Sequence, residues 1–275
     1  MTDDRERLAS KLFMKAVFPV MKVVLEDDPV MAKRFQNTSG VVQFYAKDPV
    51  EPAAAHLVFT DGKLDIVQGE AENPDLTFWF PKITAMNAML RGKPALPMVL
   101  GLVKPTEWLR PLGALKNAGR KAMLLGKVFS LLMSMKLMMP SARPTDPAKR
   151  HLKVKMAFYM VTTALSQYNK AGDSEMMTWT GKQPDRVYQI SVEPGGIAAY
   201  LRVKAGKTRA GRGVYTRRRP FVHMQFNGVD GALAVLLKDA EFVEAVGRGF
   251  VRIEGSPEYA AQLNDFMQRI QALMV

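Results

Sequence analysis

Cysteine is absent from this chain. Neither a disulfide framework nor a thiolate zinc site is available to it, and the absence fits a reducing compartment. Histidine is nearly as scarce. His56, His151 and His223 are the three, and none has a ligand companion at helical or hairpin spacing, so no metal site is expected. No run of about 18 uninterrupted apolar residues occurs, so no membrane-spanning helix is expected. The opening Met1-Thr2-Asp3-Asp4-Arg5-Glu6-Arg7 mixes acid with base, and Lys15 and Lys22 interrupt the apolar stretch behind it, unlike a signal peptide. A cytoplasmic protein is the expectation. Catalytic patterns are missing as well. There is no Gly-x-Ser-x-Gly. Gly206-Lys207-Thr208 lacks the earlier glycine of a phosphate loop, where Leu201 stands, and Gly211-Arg212-Gly213 lacks the third glycine of a dinucleotide fingerprint. Neither an enzyme nor a cofactor is expected.

What is present is globular in composition, 48% hydrophobic and 24% charged, with a net charge of +13. Such a charge suits a polyanionic neighbour, and both nucleic acid and the anionic face of a membrane qualify.

The chain also repeats itself. Val41-Val42-Gln43-Phe44 matches Val187-Tyr188-Gln189-Ile190, an offset of 146 (187 − 41). Gly62-Lys63 and Gly69 match Gly206-Lys207 and Gly213 at 144 (206 − 62), and Pro74 to Phe80 matches Pro220 to Phe226 at 146 again (220 − 74). A fourth match pairs Gly101-Leu102-Val103-Lys104 with Gly249-Phe250-Val251-Arg252 at 148 (249 − 101). Small changes of offset are what loop insertions produce. A diverged duplication is expected, with repeat 1 at 1–140, including a helical insert over about 106–139, and repeat 2 at 148–275.

Repeat 2 reads as helix, strands, helices, strand, helix. Asp146-Pro147 supplies an N-cap followed by a proline whose missing N–H is harmless in the first turn, and the helix runs to about Lys170. Strands are expected over 187–192, 197–203, 220–226 and 249–254. Tyr259, Leu263, Phe266, Ile270 and Leu273 form the apolar stripe of a terminal helix. In repeat 1, Pro19 and Pro29 are expected to kink or divide the first helix. Pro105 is expected to leave the strand after Gly101 short or at a sheet edge.

Gly249-Phe250-Val251-Arg252-Ile253-Glu254-Gly255 followed by an amphipathic helix resembles the closing signature of the sterol carrier protein type 2 family. Asp61-Gly62-Lys63 resembles that family's hairpin turn, and Leu90-Arg91-Gly92-Lys93 its L-x-G-K helix end. Repeat 2 departs from the last motif with Leu237-Lys238-Asp239-Ala240. The resemblance implies an α+β fold: in each repeat, a mostly antiparallel sheet covered by helices, with an apolar tunnel for a sterol, fatty acyl chain or phospholipid. It brings no catalytic residues. Tunnel walls are expected at Phe78, Phe80, Met86, Met89, Leu90, Met98 and Leu102, and at Met224, Phe226, Leu233, Leu236, Leu237, Phe242, Val246 and Phe250. Apolar stripes at these spacings ordinarily close a dry core, and that alternative stands beside the tunnel.

Two further segments stand out. From Lys104 to Arg143 there are eight basic residues against the one acid Glu107, around a stretch crowded with methionines. A helix of this kind suits a membrane interface, through Met133, Met135 and Met138 with Trp108 at headgroup depth, or burial between the two repeats. The span 202–219 holds Arg202, Lys204, Lys207, Arg209, Arg212, Arg217, Arg218 and Arg219 with no acid, whereas its counterpart in repeat 1 holds Asp61, Asp65, Glu70, Glu72 and Asp75. An anionic lipid surface or plain solvation ranks above nucleic acid here, because only Tyr215 and Phe221 accompany the arginines. The sequence thus points to a carrier of an apolar lipid ligand with peripheral contact to anionic membrane. An accessory or scaffold protein for a lipid-modifying enzyme is the alternative, followed by non-specific nucleic-acid binding.

Overall fold

The computed structural model describes residues 3–101 and 111–274. The chain divides into two compact units, Met1–Lys136 and Leu137–Val275.

The first unit begins with Asp4–Leu12 (α1), which Asp3 caps by accepting the Arg5 N–H. Pro19 lacks the N–H and the room for an α-turn. The helix passes through a π-turn at Phe13–Val17 and a 3₁₀ turn at Phe18–Val20 before resuming as Met21–Asp27 (α2). Asp28 leaves helical torsions, and its carboxylate accepts from the N–H groups of Val30 and Met31. Pro29 then starts Pro29–Phe35 (α3). Both prolines act as the sequence suggests. Next come Gly40–Ala46 (β1), Ala53–Thr60 (β2), Lys63–Gln68 (β3), Leu76–Phe80 (β4), Ile83–Leu90 (α4), Met98–Leu100 (β5) and Pro111–Ser134 (α5), which ends in a 3₁₀ turn at Met135–Met138.

The second unit runs Pro147–Lys170 (α6), Ser174–Gly181 (α7), Arg186–Glu193 (β6), Ile197–Lys204 (β7), Lys207–Arg212 (β8), Val222–Asn227 (β9), Gly228–Leu236 (α8), Phe242–Gly247 (α9), Val251–Gly255 (β10) and Pro257–Met274 (α10). None of the described helices is long and apolar enough to cross a membrane.

The sheets have the orders β3-β2-β1-β4-β5 and β8-β7-β6-β9-β10. In each, only the middle pair, β1 with β4 and β6 with β9, is parallel. This is the α+β architecture expected. The pairings coincide residue by residue. Phe44 faces Ala55 and Phe78, while Ile190 faces Ala199 and Met224.

Period-two alternation places Val42, Phe44 and Ala46 on one face with Leu76, Phe78 and Phe80. Phe44 stacks on Phe78 at 4.8 Å, and Phe18 closes over it at 4.9 Å. Burying such a ring contributes about 1.5–3 kcal/mol. In the second unit, Tyr188, Ile190 and Val192 share a face with Met224 and Phe226, and Phe158 of α6 packs on Phe226 at 5.2 Å.

The fourth sequence match needs correcting. The short edge strand lies at Met98–Leu100, ahead of Gly101, and Val99 faces Phe78 as Ile253 faces Met224. Gly101 therefore corresponds to Gly255, not Gly249. Both take φ near +95°, and a Cβ on either would meet a backbone carbonyl, that of Asp75 at 2.6 Å or Phe221 at 2.0 Å. The glycine is there because two strands converge too closely for any side chain.

α5 packs against α2 and α3, burying Leu124, Val128 and Leu131, and Lys121 donates from the same buried side to the Gly101 carbonyl. Met123, Phe129 and Met133 are exposed, while Met135 and Met138 are half-buried.

Candidate functional site

A cleft of about 250 Å³ opens in the second unit. Its floor is apolar, with Leu233, Ala234 and Leu237 from α8 and the turn after it, and Pro144 opposite. Its rim is two ion pairs. Arg143 grips Asp239 with two hydrogen bonds, Nη1 to Oδ2 at 2.9 Å and Nη2 to Oδ1 at 2.7 Å. Arg150, in the first turn of α6, donates to Asp230, in the first turn of α8. The hydrogen bond from Arg143 holds the Asp239 carboxyl below the ordinary carboxylate range.

The local chain path explains the rim. α8 ends with Lys238 in the left-handed region (φ 60°), and the N–H of Asp239 returns to the Ala234 carbonyl at 2.8 Å. That reversal carries Asp239 to Arg143. Nearby, Lys153 is 2% exposed and donates to the carbonyls of Leu137 and Met139, both at 2.7 Å. Burial, with the charge of Arg143 behind it, lowers its pKa to about 8. The segment leading into α6 is tied down through this lysine.

The same helix end occurs in the first unit with different chemistry. Arg91, Gly92 and Lys93 repeat the hydrogen bonds of Leu237, Lys238 and Asp239, to Asn87, Met89 and Ala88 in place of Leu233, Val235 and Ala234. Asn87 thus stands where Leu233 does, and Arg91 where Leu237 does. Asn87 is fully buried and donates to the Glu6 carbonyl at 2.8 Å and its carboxylate at 2.7 Å, and Arg91 adds 2.9 and 3.1 Å contacts to both carboxylate oxygens. Burial works to raise the Glu6 pKa, but these hydrogen bonds and the Arg91 charge outweigh it and hold Glu6 low. A polar plug fills this position in the first unit, where the second has an apolar floor.

The residues expected to line tunnels fall into several environments. Leu233 and Leu237 line the cleft. Phe78, Phe80, Met86, Met224, Phe226 and Phe242 are buried, and Met89, Leu90, Leu236 and Phe250 are half-buried. Met98 and Val246 are exposed, on the edge strand and on α9. Leu102 and Trp108 lie outside the described residues. Arg143, Arg150, Asp230 and Asp239 were not legible as site residues. The one trace was the departure Lys238-Asp239 from the glycine-lysine helix end.

No group of three or more histidine, aspartate or glutamate side chains among the described residues is arranged to hold a metal ion. On the outer face of the second sheet, Gln225 contacts His223 Nδ1 at 3.1 Å, His223 Nε2 contacts Ser191 Oγ at 2.8 Å, and Ser191 donates to Glu193 at 3.2 Å. Ser191 can donate to the Glu193 carboxylate while His223 donates to Ser191, and burial lowers the pKa of His223. The arrangement reads as a part-buried hydrogen-bond chain satisfying a strand histidine.

No family model and no curated protein matches the chain. Among solved structures it is similar to palmitated SCP2L2 from Aedes aegypti, at 20% identity over 39% of this chain and 90% of that one, with a TM-score of 0.29. It is also similar to Sterol Carrier Protein 2 Like 2 from the same mosquito, at 20% identity over 41% and 97%, with a TM-score of 0.28. The sec-alkylsulfatase Pisa1 from Pseudomonas sp. matches at 12% identity over 52% of this chain and 28% of its own, with a TM-score of 0.25. Overlaps this slight assign neither ligand nor activity to the chain.

Proposed function

We propose that this protein is a duplicated α+β unit whose second copy holds a lipid non-covalently, while its first copy serves as a closed scaffold. The observation that carries this reading is the exchange of Asn87 and Arg91 for Leu233 and Leu237 at the same two helix positions. It leaves an apolar floor under an open mouth. Duplication is supported by the common strand order and by the coinciding residue pairs. A cleft of 250 Å³ lies just below the range of about 300–1,000 Å³ usual for small-molecule sites. That size favours part of a single acyl chain over the fused rings of a sterol. Arg143 and Arg150 at the mouth suit a carboxylate or phosphate headgroup, which would compete with Asp239 and Asp230 for them. The driving force is removal of the chain from water.

The test is native mass spectrometry of the purified protein with lipid identification, followed by titration with a fluorescent fatty acid. One bound acyl lipid per chain is expected. Leu237→Asp should weaken the probe about tenfold or more by placing a charge on the floor. Absence of any bound or bindable lipid, or an unchanged affinity in the variant, would leave the accessory-scaffold reading in its place.

A further inference from the structure

A second surface of the same unit has no part in the cleft. Between β8 and β9 the segment 213–220 crosses the outer face of the sheet as a strap. Gly213 donates to the Ala198 carbonyl at 2.7 Å, Tyr215 donates to Gln189 Oε1 at 2.9 Å, and Phe221 donates to the Val187 carbonyl at 2.8 Å. Gln189 is fully buried beneath it and donates in turn to the Ala199 and Gly213 carbonyls. Asp185 binds both Arg202 and Arg218, which draws its pKa down to about 2, chiefly through the Arg202 hydrogen bond. Main-chain bonds at both ends and contacts from Gln189 and Asp185 between them tie the strap to the sheet.

What it presents outward is apolar and cationic together. Val214 is 64% exposed beside the half-buried Tyr215. Arg217 and Arg219 follow, and Lys207 and Arg209 stand on the adjoining hairpin, all four exposed. Their side chains make no ion pair or hydrogen bond with any described residue. Arg212, by contrast, lies over the Tyr159 ring at 4.9 Å, and Arg218 is held by Asp185. Of the arginines singled out by sequence, Arg209, Arg217 and Arg219 are thus the free ones.

We propose that the 213–220 strap and the adjoining outer face of β8 form a docking surface for an anionic lipid bilayer. Arg209 stands opposite Arg202, which shares Asp185 with Arg218, so the hairpin and strap cations lie on one side of the sheet, and with the exposed Val214 on the same strap they match a headgroup layer, which offers negative charge at its surface and an apolar interior just beneath. Single-stranded nucleic acid fits less well. The Tyr200 ring lies so close over Gly211 that a Cβ there would be 2.2 Å from its Cζ, and it meets Tyr215 at 5.0 Å and 67°. The two rings are closed on each other rather than set out as a platform for bases. The inference stands apart from the cleft, and a failure of either leaves the other intact.

The experiment is co-sedimentation of the full chain with vesicles of phosphatidylcholine, with and without phosphatidylserine. The wild type is expected to bind only the anionic vesicles and to release them as salt rises. Neutralising each cation weakens binding about fivefold, so Arg217→Gln with Arg219→Gln should weaken it roughly 25-fold. Val214→Ser should weaken it several-fold without any change in charge. Lys207→Gln with Arg209→Gln, on the hairpin instead of the strap, should repeat the charge effect. Circular dichroism and acyl-probe binding in the cleft should be unchanged throughout. Equal binding to neutral vesicles, unchanged binding by both double variants, or binding of a single-stranded oligonucleotide without binding to vesicles would overturn the proposal.

Discussion

The C-terminal ends of α4 and α8 share a backbone and differ in side-chain chemistry. The three returning hydrogen bonds are the same, yet one end is filled by Asn87 and Arg91 around Glu6 and the other is lined by Leu233 and Leu237 under two ion pairs. The straps repeat the contrast. In the first unit the counterpart of the 213–220 strap is the segment 69–74, where Gln43 accepts from Ala71 N–H at 2.6 Å as Gln189 accepts from Tyr215, but this first strap carries Glu70 and Glu72 while the second carries its arginines. Hydrogen bonds to the main chain preserve geometry whatever the exposed side chains are. Those side chains are free to set charge and polarity separately in each unit.

The most disruptive way to break this comparison is to empty the plug. Asn87→Leu with Arg91→Leu leaves Glu6 without the donors that stabilise it, and the expected loss is about 3 kcal/mol in urea unfolding. Adding Glu6→Leu should recover most of that stability. It should also raise acyl-probe stoichiometry from one toward two if an apolar floor is what makes a site. A stoichiometry that stays at one would show that the Arg–Asp rim matters as much as the floor.

A smaller effect separates the two straps. Gln189 joins one strap N–H to two strand carbonyls and the Gly213 carbonyl, whereas among the described residues the Gln43 side chain hydrogen-bonds to Ala71 alone. Gln189→Leu is expected to cost about 2–3 kcal/mol and Gln43→Leu about 1 kcal/mol. Hydrogen exchange at the Tyr215 and Ala71 amides would report the release of each strap.

The smallest effect is acid-dependent. The Asp185 pKa is depressed from 3.8 to about 2. Its contribution is therefore complete above the ordinary value and is lost as pH falls through the depressed one. Thermal unfolding followed between those two pH values should fall less steeply for Asp185→Asn than for the wild type. Parallel curves would mean that the carboxylate does not hold the strap in solution.

Much of the fold was legible because alternation, proline and glycine act locally. The offsets of 146 and 144 between the two halves reappear as strand pairings: Phe44 with Phe78 beside Ile190 with Met224, and Ala55 beside Ala199. The fourth match failed for a physical reason. A three-residue edge strand, Met98–Leu100, leaves little pattern, and Gly249 resembles Gly101 in its neighbours while Gly255 resembles it in its surroundings. The candidate site was legible only in part. Leu233 and Leu237 were recognisable as apolar, but nothing along the chain distinguishes them from Phe80 or Met224, which are fully buried.

The sequence by itself determined the order of elements apart from α7 at Ser174–Gly181, the breaks at Pro19 and Pro29, the alternating strand faces and the opposite charges of the two straps. Each of these depends on a few neighbouring residues. Only the tertiary structure decided which apolar side chains border a cleft, that Arg143 meets Asp239 across 96 positions, and which arginines remain unpaired. Burial and pairing depend on every element packed around a residue, and those neighbours are distant in the chain.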